Sequence, residues 1–200
     1  MITCMSDILC VTNRKLCGDD FLIRIGRIAQ ARPAGIILRE KDLDSAEYEE
    51  LGAEVIRICG EYDVPCILHS FPHVAEALGV TALHLPMPVL RQLPSDRRSG
   101  FEILGASCHS VEEALEAERL GASYITAGHI FETDCKKGLA GRGLEFLKEV
   151  CDAVGIPVYG IGGISPDNVV EIRKAGSSGG CIMSGLMKYK DPEAYLKRFE

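Results

Sequence analysis

The stretch Tyr124-Ile125-Thr126-Ala127-Gly128 runs directly into His129-Ile130-Phe131-Glu132-Thr133-Asp134-Cys135-Lys136-Lys137-Gly138. Tyr124, Ile125 and Thr126 suit a half-buried pleated strand. A polar loop with a histidine and two lysines then follows without a helix between. Such a junction has a reason if the strand ends on a functional face. In a (β/α)8 barrel that face is the C-terminal end of the strands.

The rest of the chain repeats the same rhythm. Strands are predicted at Ile8–Thr12, Gly35–Arg39, Pro65–His69, Ala82–Leu85, Ile103–Ala106, Tyr124–Gly128, Val158–Ile161 and Gly180–Met183, with helical stretches between them. In Ser45–Tyr62 the residues Tyr48, Leu51, Val55, Ile58 and Tyr62 recur at the helical period, with Glu47, Glu50, Glu54 and Arg57 left outside. Ser110-Val111-Glu112-Glu113 reads as a capping box, and Ser165 before Pro166 as an N-cap with proline at the first helical position. Gly121 and Gly176 stand where C-cap glycines end helices. Eight strands alternating with helices predict one TIM-barrel domain over residues 1–200, an α/β fold. An open doubly wound sheet is the alternative, but it usually has fewer strands. Pro94–Gly100 is the most loop-like segment.

Composition narrows the function. Hydrophobic residues are 46% and charged residues 26%, a globular balance, and the net charge of −7 argues against sequence-independent nucleic-acid binding. The nine cysteines are scattered without C-x-x-C, and Cys66 and Cys181 lie in apolar runs where cysteine acts as a small hydrophobe. With no signal-like N-terminus and no span-length apolar run, the protein is expected to be cytoplasmic, reduced and not membrane-bound.

Four histidines fall near strand ends: His69, His84, His109 and His129. Each could equally be structural. No H-x-H or H-E-x-x-H occurs, so neither a metal nor a cofactor is expected. Ile37, Arg39 and Lys41 share one face if the second strand extends that far, which would aim two cations at a carboxylate or phosphate. Ion pairing with Glu40 or Asp42 is the plainer account. Gly162 and Gly163 after the seventh strand, with Gly179–Gly185 at the eighth, match the loops that commonly hold phosphate in this fold.

Taken in order, Val11-Thr12-Asn13-Arg14, Leu38-Arg39-Glu40-Lys41, His84-Leu85, Gly105–Ser110, Gly128–Thr133 and Ile161–Ile164 resemble the thiamine phosphate synthase superfamily over nearly the whole chain. The synthases of that superfamily place an Asn-Asp pair after the third strand and another aspartate after the fourth, holding the magnesium of a pyrimidine diphosphate. Here His69-Ser70 and Val89 stand in those places, and Ile37 replaces a glutamine. The run from Gly128 to Gly143 looks instead like the TenI branch, the thiazole tautomerases of thiamine biosynthesis. That resemblance implies an isomerase that aromatises a carboxythiazole phosphate tautomer, with His129 as proton shuttle. It places Arg39, Lys41, Ser107, Thr133, Lys136, Gly162, Gly163, Met183 and Ser184 against the small-molecule thiazole phosphate. A thiamine phosphate synthase and a non-catalytic TenI-like phosphate-ligand-binding regulator are the competing readings. A homodimer is left open.

Overall fold

The computed structural model describes residues 7–133 and 138–199. Its eight strands, β1 (Ile8–Val11), β2 (Gly35–Leu38), β3 (Cys66–His69), β4 (Ala82–Pro86), β5 (Ile103–Cys108), β6 (Tyr124–Gly128), β7 (Val158–Ile161) and β8 (Gly179–Ile182), close into one barrel in chain order. The registered pairs are parallel, with Ile37 opposite Ile67 and Thr126 opposite Tyr159. The helices are α1 (Phe21–Gln30), α2 (Ser45–Glu61), α3 (Pro72–Ala77), α4 (Met87–Gln92), α5 (Ser95–Arg98), α6 (Val111–Arg119), α7 (Gly143–Ala153), α8 (Val169–Lys174), α9 (Ser184–Lys188) and α10 (Pro192–Lys197). Among the described residues no helix is long and apolar enough to cross a membrane.

Two compact units divide the contacts: the described residues up to Ala82 with those from Ile182 onward, and Leu83–Cys181. In the first, α1 buries Ile25 and Ile28, each contributing about 1.5–3 kcal/mol through removal from water. The buried Arg24 donates to Asp19 and to the Tyr189 carbonyl, so its charge is paired. Tyr48 on α2 is fully buried; its hydroxyl donates to the Leu38 carbonyl at 2.5 Å and accepts from the His69 amide at 2.7 Å. One phenol therefore ties together the C-terminal ends of β2 and β3. In the second unit, Ala114 and Ala117 of α6 and Leu147 and Val150 of α7 are buried.

Several local expectations need correction. The 94–100 segment is not a plain loop: Ser95–Arg98 forms a turn of helix directly after α4. Ser110 caps α6 by accepting from the Glu113 amide, but the Glu113 carboxylate turns to the amide of His109 rather than completing the box. Helix α8 starts at Val169, not at Pro166, because the Asn168 side chain bonds the Ser165 amide and the Gly163 carbonyl and closes a turn there. Gly121 and Gly176 do end their helices at positive φ, 90° and 98°, with amides returning to Glu118 and Arg173.

Candidate active site

Strand β2 ends at Leu38, so the expected continuation that would align Ile37, Arg39 and Lys41 on one extended face does not occur. The chain turns at Lys41 and Asp42 instead. Arg39 and Lys41 nevertheless line one cavity of about 250 Å³, together with Asn13, Lys15, Glu40 and Asp42. The acidic members of that wall are engaged by neighbouring side chains. Buried Glu40 accepts from the Thr12 hydroxyl (2.7 Å), the Arg14 amide (3.0 and 3.1 Å) and the Arg14 guanidinium (3.2 Å). Asp42 takes both Arg14 nitrogens at 2.8 Å and Lys15 at 2.9 Å. The Arg14 hydrogen bonds, then Lys15, hold the Asp42 carboxyl well below its ordinary range. Thr12 also accepts from the Arg39 amide at 2.9 Å, which fixes the backbone from which Arg39 leaves β2. The sequence motif containing Thr12 and Arg14 thus buttresses the cationic turn, a role that its residue types alone did not reveal.

In the second unit, three histidines lie within or just past strands in different ways. His84 on β4 is buried between two hydroxyls, Tyr124 at 2.9 Å on Nδ1 and Ser107 at 2.8 Å on Nε2. His109, just past β5, places Nδ1 2.9 Å from the Gly128 carbonyl. A carbonyl only accepts, so Nδ1 of His109 carries a proton. His129, just past β6, is 8% exposed, and its Nε2 lies 3.3 Å from the Leu139 carbonyl. The same reasoning puts the proton of the neutral ring on Nε2 and leaves a lone pair on Nδ1. That Nδ1 is buried and has no hydrogen-bond partner among the described residues. Leaving such an atom unpaired costs about 1–3 kcal/mol.

Residues 129–131 are clamped by backbone. The Ile130 and Phe131 amides donate to Ile161 and Gly162, while the His129 and Ile130 carbonyls accept from Arg142 and Gly143. This accounts for the glycines nearby. A Cβ on Gly163 would lie 2.6 Å from the Glu132 carbonyl oxygen, one on Gly162 2.9 Å from His129 Cα, and one on Gly141 2.9 Å from Phe131 Cα. Gly162 and Gly163 also sit at φ 97° and 69°, where side chains are strained. Close approach to the His129 segment therefore requires these glycines whether or not phosphate binds there.

Of the remaining sequence candidates, Ser107 lies on β5 and is half-buried, and Thr133 ends the described part of the His129 loop. Met183 and Ser184 sit at the start of α9. Lys136 lies outside the described residues. His69, at the end of β3, bonds Ser70 through Nδ1 at 2.7 Å, and His73 sits on α3 against Ser45. The magnesium that the resemblance implies for a synthase finds no ligands at the corresponding positions. Ser70 and Val89 carry no carboxylate, and among the described residues no group of three or more His, Cys, Asp or Glu is arranged to hold a metal. The residues present do not fit that ion. Gly105, Tyr124 and Gly141 were missed as site-building residues; a glycine inside a strand, as at 105, is the one signal that could have flagged close approach.

A closed parallel (β/α)8 barrel with basic side chains and histidines at its strand ends defines the class, a TIM barrel of the kind whose chemistry is carried by strand C-termini. The profile of the TMP-TENI family, described as thiamine monophosphate synthase, matches residues 8–186, and the chain belongs to that family of thiamine-biosynthetic enzymes. It is 36% identical over 194 residues to a thiamine-phosphate synthase of Desulfitobacterium hafniense, covering 94% of this chain and 92% of that one. It is 34% identical over 186 residues to the thiamine-phosphate synthase of Pyrococcus abyssi, covering 90% and 86%. Among solved structures, the thiamine phosphate pyrophosphorylase from Pyrococcus furiosus superposes with a TM-score of 0.82 at 30% identity, covering 96% and 92%.

Proposed function

We propose that this member of the family is a thiazole tautomerase, moving a proton within a carboxythiazole phosphate. The observation that carries the reading is His129, whose Nε2 contacts a carbonyl while its buried Nδ1 has no partner among the described residues. In this reaction His129 takes the proton from ring C2 and returns one to the exocyclic alkene carbon, so the ring becomes aromatic and the histidine is regenerated. An imidazole is suited to both halves of that transfer near neutral pH. Arg39 and Lys41 bind the carboxylate, where withdrawing charge favours loss of the neighbouring proton. Ser107, Thr133, Lys136, Gly162, Gly163, Met183 and Ser184 complete the contacts to the phosphate substrate.

The names of the relatives favour a second reading, thiamine phosphate synthesis from a pyrimidine diphosphate and a thiazole phosphate. Against it stand Ser70 and Val89, which supply no charge to hold a diphosphate-bound magnesium. One experiment separates the readings. The protein is incubated with the carboxythiazole phosphate tautomer and, separately, with the two synthase substrates and magnesium, each followed by proton NMR. Aromatisation of the tautomer is expected. Coupling of the two synthase substrates without aromatisation would overturn the proposal in favour of the synthase. Tight binding with neither reaction would leave a phosphate-ligand regulator.

A further inference from the structure

The pair Tyr124 and His84 is built around a glycine. A Cβ at Gly105 would overlap both the Tyr124 ring and Nδ1 of His84, so only glycine in the middle of β5 allows the two rings to meet. Their centroids are 5.5 Å apart, and Tyr124 packs edge-on against Tyr159 at 5.8 Å. Both side chains are buried, Tyr124 at 6% and His84 at 2% exposure. A strand glycine and two buried polar rings form a costly arrangement for packing alone, since every polar atom must be satisfied.

The hydrogen directions can be assigned. Among the described residues the Tyr124 hydroxyl has one hydrogen-bond partner, Nδ1 of His84. If that nitrogen carried the proton, the buried phenolic hydrogen would have no acceptor. The phenol therefore donates, Nδ1 accepts, and the His84 proton sits on Nε2. From there it points at the Ser107 oxygen, 2.8 Å away. Burial pushes the Tyr124 phenol well above its ordinary range, so it stays a donor. Ser107 then accepts from His84, and its own hydrogen is left to turn toward a ligand from the half-buried end of β5.

We infer that Tyr124 and His84 are positioning residues that hold the Ser107 hydroxyl as a hydrogen-bond donor to an acceptor oxygen of the substrate. A serine hydroxyl by itself can donate or accept. The relay removes that choice and selects against a ligand group that offers a proton at this point. The tautomer follows from the geometry of the three side chains; its service to the substrate rests on the function proposed above.

Two measurements on the full chain test the two halves separately. In long-range proton–nitrogen NMR of 15N-labelled protein without substrate, His84 is expected to be the Nε2–H tautomer. Tyr124→Phe, which keeps the ring packing, is expected to mix the tautomers. A proton on Nδ1 in the wild type, or no change in Tyr124→Phe, overturns the relay whatever the enzyme catalyses. The second measurement uses whichever of the two reactions above the wild type performs. Ser107→Ala is expected to raise KM on the order of tenfold, as loss of one hydrogen bond does. Tyr124→Phe should lose less, and the double variant no more than Ser107→Ala alone, because Tyr124 acts through Ser107. Additive losses, or wild-type KM in Ser107→Ala, overturn the substrate assignment even if the tautomer is as stated.

Discussion

His109 donates its Nδ1 proton to the carbonyl oxygen of Gly128 across 2.9 Å. The end of β5 thereby grips the last residue of β6, and the next residue in the chain is His129. With the amides of Ile130 and Phe131 fixed on the other side by Ile161 and Gly162, the His129 segment is held mainly through its backbone, the ring adding one contact to the Leu139 carbonyl. A side chain whose frame is set this way can be replaced without collapse of the site.

His129→Gln should therefore lower kcat by on the order of 10²-fold or more with KM little changed, since general acid–base catalysis contributes about 10²–10⁴-fold. His73→Gln, on α3, should leave turnover near wild type. Steady-state kinetics of the two variants decide the point; near-normal kcat in His129→Gln would remove the shuttle and make His109 or bound water the next candidate.

Gly141 tests the clamp from outside His129. A Cβ there meets the Ile130 carbonyl and the Phe131 backbone, neither of which can yield without moving His129. Gly141→Ala is expected to cost about 1–3 kcal/mol, the usual range for overpacking. Thermal unfolding should show a lower midpoint, and kcat should fall without any change in the residues that touch substrate.

Arg39→Ala and Lys41→Ala should raise KM more than they lower kcat, because a carboxylate is bound in both ground and transition states. Loss confined to kcat would instead assign one of them to proton transfer. Kinetics indistinguishable from wild type in both variants would take them out of the site.

Turnover of the thiazole tautomer is expected to be unchanged by EDTA, because Ser70 and Val89 replace the magnesium carboxylates. Activity restored only by added magnesium would speak for the synthase.

Two buried thiols give a pH dependence. Burial pushes the Cys108 thiol up to about 12, with Glu113 and Glu116 adding to the effect, and burial alone raises Cys181. A folded pKa above the unfolded one, about 8.5, means a contribution to stability that is complete below that value. It is lost as pH rises toward the folded pKa. The denaturant midpoint should therefore be lower at pH 10 than at pH 7, and both thiols should resist alkylation at pH 8 until the chain unfolds. Rapid alkylation of native Cys108 would contradict this.

The alternation of short apolar runs with amphipathic stretches determined the barrel, because strand and helix periods are local properties of the chain. Tyr48, Val55 and Ile58 were placed on the buried face of α2 by spacing alone. The strand ends at His69 and Gly128 came out at the same residues for the same reason. Contacts between distant segments were not legible. Nothing near Thr12 indicates that its hydroxyl meets Glu40 twenty-eight residues later. From the residues alone the histidines differed little, and only the resemblance singled out His129; the structure gives His84 two hydroxyls, His109 a carbonyl and His129 a nitrogen with no partner among the described residues. Protonation state and hydrogen-bond direction depend on what surrounds a ring, and those neighbours are assembled only when the strands lie side by side.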